Sequence, residues 1–393
     1  MNRVYFDHAA TTPLRPEAYA AMQPWLIEGF GNANALYREG KQARQALDDA
    51  RSSIAAHIGA SPPEIVFTSG GTESNNALIA GMTQAIRTKK GKEKGGNHLI
   101  CSAFEHHSVL EPIQAMKRSG YEVSLVKPSR DGFIRPDSFL RALRPDTMLA
   151  SVIMAQNEIG TIQPIAELTH IAHAQGVLFH SDAVQALGKI PMDVAKLEID
   201  AASFSAHKIG GPKGVGVLYL KSRTPFTAVQ LGGGQENKRR SGTQNVAGAV
   251  GFARALEHAE SERVEETKRL SGLCDQLVSG LLAMDNRISL TVGYGSESKD
   301  PADPAHLYLP GMLSILVDGY ESEMLILKLD DAGFAVSGGS ACSTGSLEPS
   351  HVLISLGLTR NQAYGALRFS LGRENTKEEI DRFLSAFAKI LHG

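Results

Sequence analysis

The stretch Glu64-Ile65-Val66-Phe67-Thr68-Ser69-Gly70-Gly71-Thr72-Glu73-Ser74-Asn75-Asn76 holds a strand, a two-glycine turn and a helix start in thirteen residues. The β-branched and aromatic run reads as a strand, and the glycines turn the chain into a helix that opens with a hydroxyl and a carboxylate. The same alternation continues on both sides. His98–Ser102, Glu122–Val126, Met148–Met154, Val177–Ser181 and Ala201–Phe204 read as further strands, with helical spacing between them, as in Ile165–Gln175. Near-continuous apolar character suits strands covered on both faces, hence a mostly parallel, doubly wound α/β sheet.

Beyond about residue 250 the pattern becomes a long helix from Ala247 to Leu282, short strands at Ser289–Val292 and Leu313–Val317, and a helix at Lys377–Leu391. This predicts a large domain over residues 15–255. A smaller α+β domain takes residues 1–14 with 256–393. Lys89–Gly96, with its charge run, reads as a solvated loop.

Lys and Arg number 40 against 42 Asp and Glu, so the bulk charge points to no nucleic-acid or anionic-membrane partner. Lys238-Arg239-Arg240 is the one local basic candidate. No apolar run approaches the roughly 20 residues of a membrane span, and the first residues lack a signal-peptide layout. Three cysteines make no disulfide framework, which suits a reducing cytoplasm.

In an open α/β sheet ligands sit beyond the carboxyl ends of the strands. The Thr68–Asn76 turn there can bind a phosphate through helix N-terminal amides, Gly71 and Thr72. An ordinary turn capped by Thr72 is the alternative. In Phe204-Ser205-Ala206-His207-Lys208, the lysine follows an apolar strand, where desolvation would lower its pKa as a Schiff-base lysine requires. Ser205 and His207 are further phosphate donors. Asp182 ends a strand and can pair with the protonated pyridine nitrogen of pyridoxal 5'-phosphate (PLP), although a helix cap is the plainer role. Asn157 and Gln185 can reach the ring hydroxyl, and His106 can stack on a planar cofactor.

No Cys or His cluster accompanies His106-His107, so no metal is expected. His170 and His173 read as a solvated helix face. Cys101 and Cys274 fall on apolar patterns and read as core. Cys342, in Ser337-Gly338-Gly339-Ser340-Ala341-Cys342-Ser343-Thr344-Gly345-Ser346, is the thiol placed like a nucleophile. Arg368, flanked by apolar residues, needs an anionic partner, and a substrate carboxylate would serve.

Tyr5-Phe6-Asp7-His8-Ala9-Ala10-Thr11-Thr12, Ser205-Ala206-His207-Lys208, the segment around Cys342 and Arg368-Phe369-Ser370-Leu371-Gly372-Arg373 together resemble the cysteine desulfurases, among the class V PLP enzymes. The resemblance covers nearly the whole chain and implies the PLP-dependent aminotransferase fold (type I). It implies that Lys208 carries the cofactor, His106 stacks on its ring and Asp182 holds the pyridinium. Asn157 and Gln185 would contact the ring oxygen, and Thr72, Ser205 and His207 the phosphate. It further implies that Thr243 reaches the phosphate of a neighbouring subunit in a homodimer. Asn34, Asn157 and Arg368 would bind the carboxylate of L-cysteine. Cys342 would take the sulfur as a persulfide for an acceptor protein in iron–sulfur cluster assembly or tRNA thiolation.

Two departures from that pattern are Gly31–Tyr37, which replaces a usual Asn-Pro-Ser-Ser stretch, and Gly339, where serine is common. The chain also stops soon after the Lys377–Leu391 helix, which weakens the expectation of a scaffold docking through a longer tail. The rival readings are a related PLP lyase or aminotransferase, which has no use for Cys342, and a folded member acting only as a binding partner.

Overall fold

The computed structural model of the protein describes residues 3–94, 96–294, 307–339 and 348–392. Its centre is a seven-stranded sheet whose strands lie in the order Ile65–Thr68, Gly216–Leu220, Ala201–Ser205, Leu178–Asp182, Thr147–Ser151, His98–Ser102, Glu122–Val126. The last five run parallel to one another. Gly216–Leu220 runs antiparallel to both its neighbours. That strand is absent from the sequence expectation, because its glycine-rich approach reads as a continuing turn.

Most of these strands are buried at every residue, and helices cover them on both sides. One apolar cluster packs Ile65, Phe67, Ile100, Ala150, Phe179 and Phe204 beneath the helices Arg38–His57 and Val246–Met284. Another packs Val66, Leu99, Leu149 and Leu218 against Leu78, Met82 and Ile113.

A second, four-stranded sheet holds Ser337–Gly338, Ala366–Ser370, Met312–Val317 and Ile288–Leu290. Its core joins both ends of the chain: Phe6 contacts Phe334 and Phe383, and Phe369 packs on Phe383. The 39-residue helix Val246–Met284 contributes to this cluster through Leu270, Leu277 and Leu281 and to the first through Phe252 and Leu256.

Three local expectations change. Residues to Lys94 belong to the 24-residue helix Gly71–Lys94 rather than a loop, because adding a residue to an existing helix costs far less than nucleating one. Met148–Met154 shortens to the strand Thr147–Ser151, freeing Val152 to Met154 to turn toward the site. His173 is not a merely solvated residue, since its Nε2 lies 2.8 Å from Asp200 Oδ2.

Candidate active site

The strand ends carry the expected residues to one place. Asp182 and Ser205 are the last residues of their strands, and Thr68 ends the strand before the Gly71–Lys94 helix. A cavity of about 310 Å³ lies beyond these ends, and Gly71, Thr72, His106, Asn157 and Asp182 line it. Of the other expected residues, Gln185, Ser205, His207, Lys208 and Arg368 also line it.

Lys208 follows its strand on a short 3-10 turn, and its Nζ donates to the carbonyls of Ala9 (2.5 Å) and Ala10 (2.8 Å). Asp182 is 3 % exposed. Its Oδ2 accepts from Asn75 Nδ2 at 2.7 Å and its Oδ1 from the Val184 amide at 3.0 Å. A buried carboxylate held by two donors is fixed in orientation toward the cavity.

His106 caps the helix His107–Arg118, and the Ser108 amide donates to its Nδ1 at 3.1 Å. An amide can only donate, so the neutral ring carries its proton on Nε2. Burial lowers the His106 pKa, with Lys208 and His107 acting the same way and Asp182 opposing. His207 is pushed down to about 4 by burial and by Lys208, Lys213 and Lys189. Both rings are therefore neutral near pH 7.

At the phosphate turn, a Cβ on Gly71 would stand 2.6 Å from Val184 Cγ2, so glycine lets the helix start close against the segment that follows the Leu178–Asp182 strand. A second hollow shares Gly71, Thr72, Ser205 and His207 and adds Lys213. Helix amides, hydroxyls and this lysine are donors suited to an anion there, beside Glu73, whose charge is paired with Arg240.

Arg368 is 2 % exposed. Its expected anionic partner is already present in the chain: Nη2 pairs with Asp7 Oδ1 at 2.7 Å, and Nη1 donates to the Asn157 carbonyl at 2.8 Å. Its Nε and Asn157 Oδ1 are buried without a partner.

Other placements differ from expectation. Asn34 and Thr243 are exposed and do not line the cavity. They are near each other: Asn34 Nδ2 donates to Oε1 of Gln244, the residue after Thr243, at 3.2 Å. Cys342 lies outside the described residues. Cys101 and Cys274 are buried, and burial raises Cys274 to about 12. Arg240 pairs with Glu73 at 2.8 Å and Arg239 donates to the Pro63 carbonyl, which ties the basic triplet into the fold.

Several lining groups escaped the sequence reading. Glu105 is fully buried, its Oε1 accepts from Ser102 Oγ and the Ile153 amide, and burial raises its pKa well above the carboxylate range. Glu158 accepts from Ser350 Oγ at 2.5 Å, and burial raises it to about 7. His351 Nε2 meets the Glu105 carbonyl at 2.9 Å. Adjacency to His106 and Asn157 was the only signal for the two acids.

A lysine, a buried carboxylate and a glycine-led helix start lining one cavity at the strand ends of an α/β sheet suit an enzyme that holds a phosphorylated aldehyde. The chain belongs to the class V aminotransferase family, whose sequence model matches residues 4–383. It is 44% identical over 388 residues to the cysteine desulfurase IscS of Dictyoglomus turgidum, covering 99% of this chain and 94% of that protein. To the cysteine desulfurase IscS of Methanosarcina thermophila it is 42% identical, covering 99% and 92%. A solved structure described as a NifS-like protein superposes with a TM-score of 0.89 at 36% identity, covering 99% of both chains. The structure of SspA in complex with cysteine superposes at 0.78 with 32% identity, covering 94% of this chain and 98% of that one.

The family is PLP-dependent, and the residues present fit that cofactor. The orphaned Asn157 Oδ1 would meet the ring hydroxyl, the buried Asp182 would face the ring nitrogen and the Gly71 turn leaves room for the phosphate, while the orphaned Arg368 Nε is left for a substrate carboxylate.

Proposed function

We propose that the protein is a PLP-dependent cysteine desulfurase, which takes the sulfur from L-cysteine, leaves L-alanine and passes the sulfur onward through a Cys342 persulfide. The convergence of Lys208, Asp182, His106 and Arg368 on one cavity carries this reading, in a chain similar over its full length to cysteine desulfurases.

When bound, the cofactor supplies an aldehyde that joins amines and a ring that accepts the electron pair released at Cα. Lys208 holds that aldehyde and later accepts the Cα proton. Asp182 would hold the ring nitrogen's proton, and His106 would lie against the ring and move a proton at Nε2. Gly71, Thr72, Ser205 and His207 receive the phosphate, while Gln185 and Asn157 face the ring oxygen.

Arg368, through the group its Asp7 pair leaves open, and Asn157 receive the substrate carboxylate; the exposed Asn34 enters this site only from an adjoining subunit or after movement. The Cys342 thiolate attacks the substrate sulfur. The S–Cβ bond breaks with its electron pair left on carbon; a proton added at Cβ and the return of the Cα proton from Lys208 complete alanine.

The finer parts of the reading are these. The enzyme is a cytoplasmic homodimer in which Thr243 reaches the partner's phosphate site, and it serves an acceptor in iron–sulfur assembly or tRNA thiolation. Exposed Phe30, Leu36 and Leu231, near Asn34 and Ser241 in the chain, support a covered face. No helix among the described residues is long and apolar enough to cross a membrane. The chain divides into residues 15–255 and residues 1–14 with 256–393; the four-stranded sheet, with its own apolar cluster around Phe6, Phe369 and Phe383, supports the smaller unit, although Met312, Val352 and Leu353 of that unit pack into the first cluster.

The test is incubation with cysteine followed by mass measurement of the Cys342 peptide, with alanine counted in parallel. A gain of one sulfur on that peptide is expected. A Cys342→Ser protein that releases sulfide from cysteine at the full rate refutes the nucleophile assignment.

A further inference from the structure

Gln185 lines the cofactor cavity, and Lys189, four residues on, does not. Lys189 lines a neighbouring cavity that meets the first at Ala9 and Lys208. Its Nζ donates to Gln185 Oε1 at 2.7 Å, and Gln185 Nε2 donates to the Ala9 carbonyl at 2.8 Å. The same carbonyl accepts from Lys208 Nζ at 2.5 Å.

The chemistry of these partners assigns the amide without reference to hydrogen positions. An ammonium has no lone pair and a carbonyl has no proton, so the Gln185 oxygen faces Lys189 and its nitrogen faces Ala9. One N–H goes to Ala9, which leaves a second for a group bound in the cavity that Gln185 lines. The charged donor on Oε1 also draws electron density from the amide and strengthens what its N–H groups give.

We propose that Lys189 is a positioning residue that fixes the Gln185 carboxamide with an N–H toward the cofactor's ring oxygen. This rests on the PLP reading above. Lys189 touches no cofactor itself and acts through Gln185. Burial, with Lys208 and Arg368 nearby, pushes Lys189 down to about 7, and its Nζ can donate to Gln185 in either protonation state.

The experiment compares Lys189→Met, Lys189→Arg, Gln185→Ala and the Lys189→Met/Gln185→Ala double variant as cofactor-loaded protein. Two readouts are used: the dissociation constant for PLP, and the pH midpoint of the bound cofactor's visible absorption. Lys189→Met should weaken PLP binding about fivefold, the worth of one hydrogen bond, and raise the absorption midpoint. Lys189→Arg keeps a donor and should return within about twofold of the wild type. In the Gln185→Ala background Lys189→Met should leave PLP affinity unchanged, because the interaction it serves is gone, and should move the absorption midpoint less than in the wild-type background.

A Lys189→Met effect of equal size in both backgrounds overturns the proposal, since a merely structural lysine would act without Gln185. Unchanged affinity and midpoint in Lys189→Met also overturn it. A wild-type protein with no visible band, and with Lys208 unmodified by borohydride in the presence of PLP, overturns the PLP reading itself. A wild type with the band and an indifferent Lys189→Met overturns this inference alone.

Discussion

Replacing Glu158 by glutamine should flatten the dependence of stability on pH between about 4.5 and 7. The carboxyl is buried in the cavity wall and raised from 4.5 to about 7, chiefly by desolvation, with the Ser350 hydrogen bond and Arg368 opposing. A group whose folded pKa is raised binds its proton more tightly in the folded state. Its favourable contribution is therefore complete below about 4.5 and is lost as pH rises through about 7. A shift of that size, at about 1.4 kcal/mol per unit, amounts to roughly 3 kcal/mol lost between pH 4 and pH 8.

The substituted carboxamide would be neutral at every pH and could still accept from Ser350. The wild type and Glu158→Gln should then differ little near pH 4 and diverge by about 2 to 3 kcal/mol in favour of the variant by pH 8. Urea denaturation at four pH values, read by circular dichroism, measures both proteins. Taking the difference between them cancels every other titrating group that does not touch Glu158. Parallel pH profiles would refute the reasoning, because they would mean that Glu158 is already ionised in the fold.

Asn75→Ala removes the donor to Asp182 Oδ2 and to Ser108 Oγ (2.8 Å); it should cost about 1–3 kcal/mol in urea and weaken PLP retention measured by dialysis. Arg51→Ala leaves Glu236 buried without the two contacts of 2.7 and 2.9 Å that hold it, and about 3–5 kcal/mol of stability should disappear in the same assay. In a Cys342→Ser protein, a chromogenic disulfide reagent should label neither Cys101 nor Cys274 until denaturant is added, since burial raises both thiols.

What the amino-acid order determined alone is the set of residues placed by local rules. Asp182, Ser205 and the Gly71-Thr72 turn follow strands of branched and aromatic residues. In a sheet with helices on its faces, strand ends are where ligands lie. Their convergence could therefore be read from periodicity, and Lys208 with them.

The tertiary structure alone decided which groups hold those residues. Asn75 meets Asp182 across 107 positions, Asp7 meets Arg368 across 361, and Lys208 meets Ala9 across 199. No spacing rule reaches that far, because such contacts are set by how strands order in the sheet and how the chain ends fold back. Burial works the same way. Nothing local distinguishes Glu105 or Glu158 from a solvated acid, and only their enclosure raises them. The opening stretch shows both limits: Ile65 to Thr72 was legible as strand and turn, whereas the helix beyond it ran to Lys94, through a charge run that composition alone assigns to solvent.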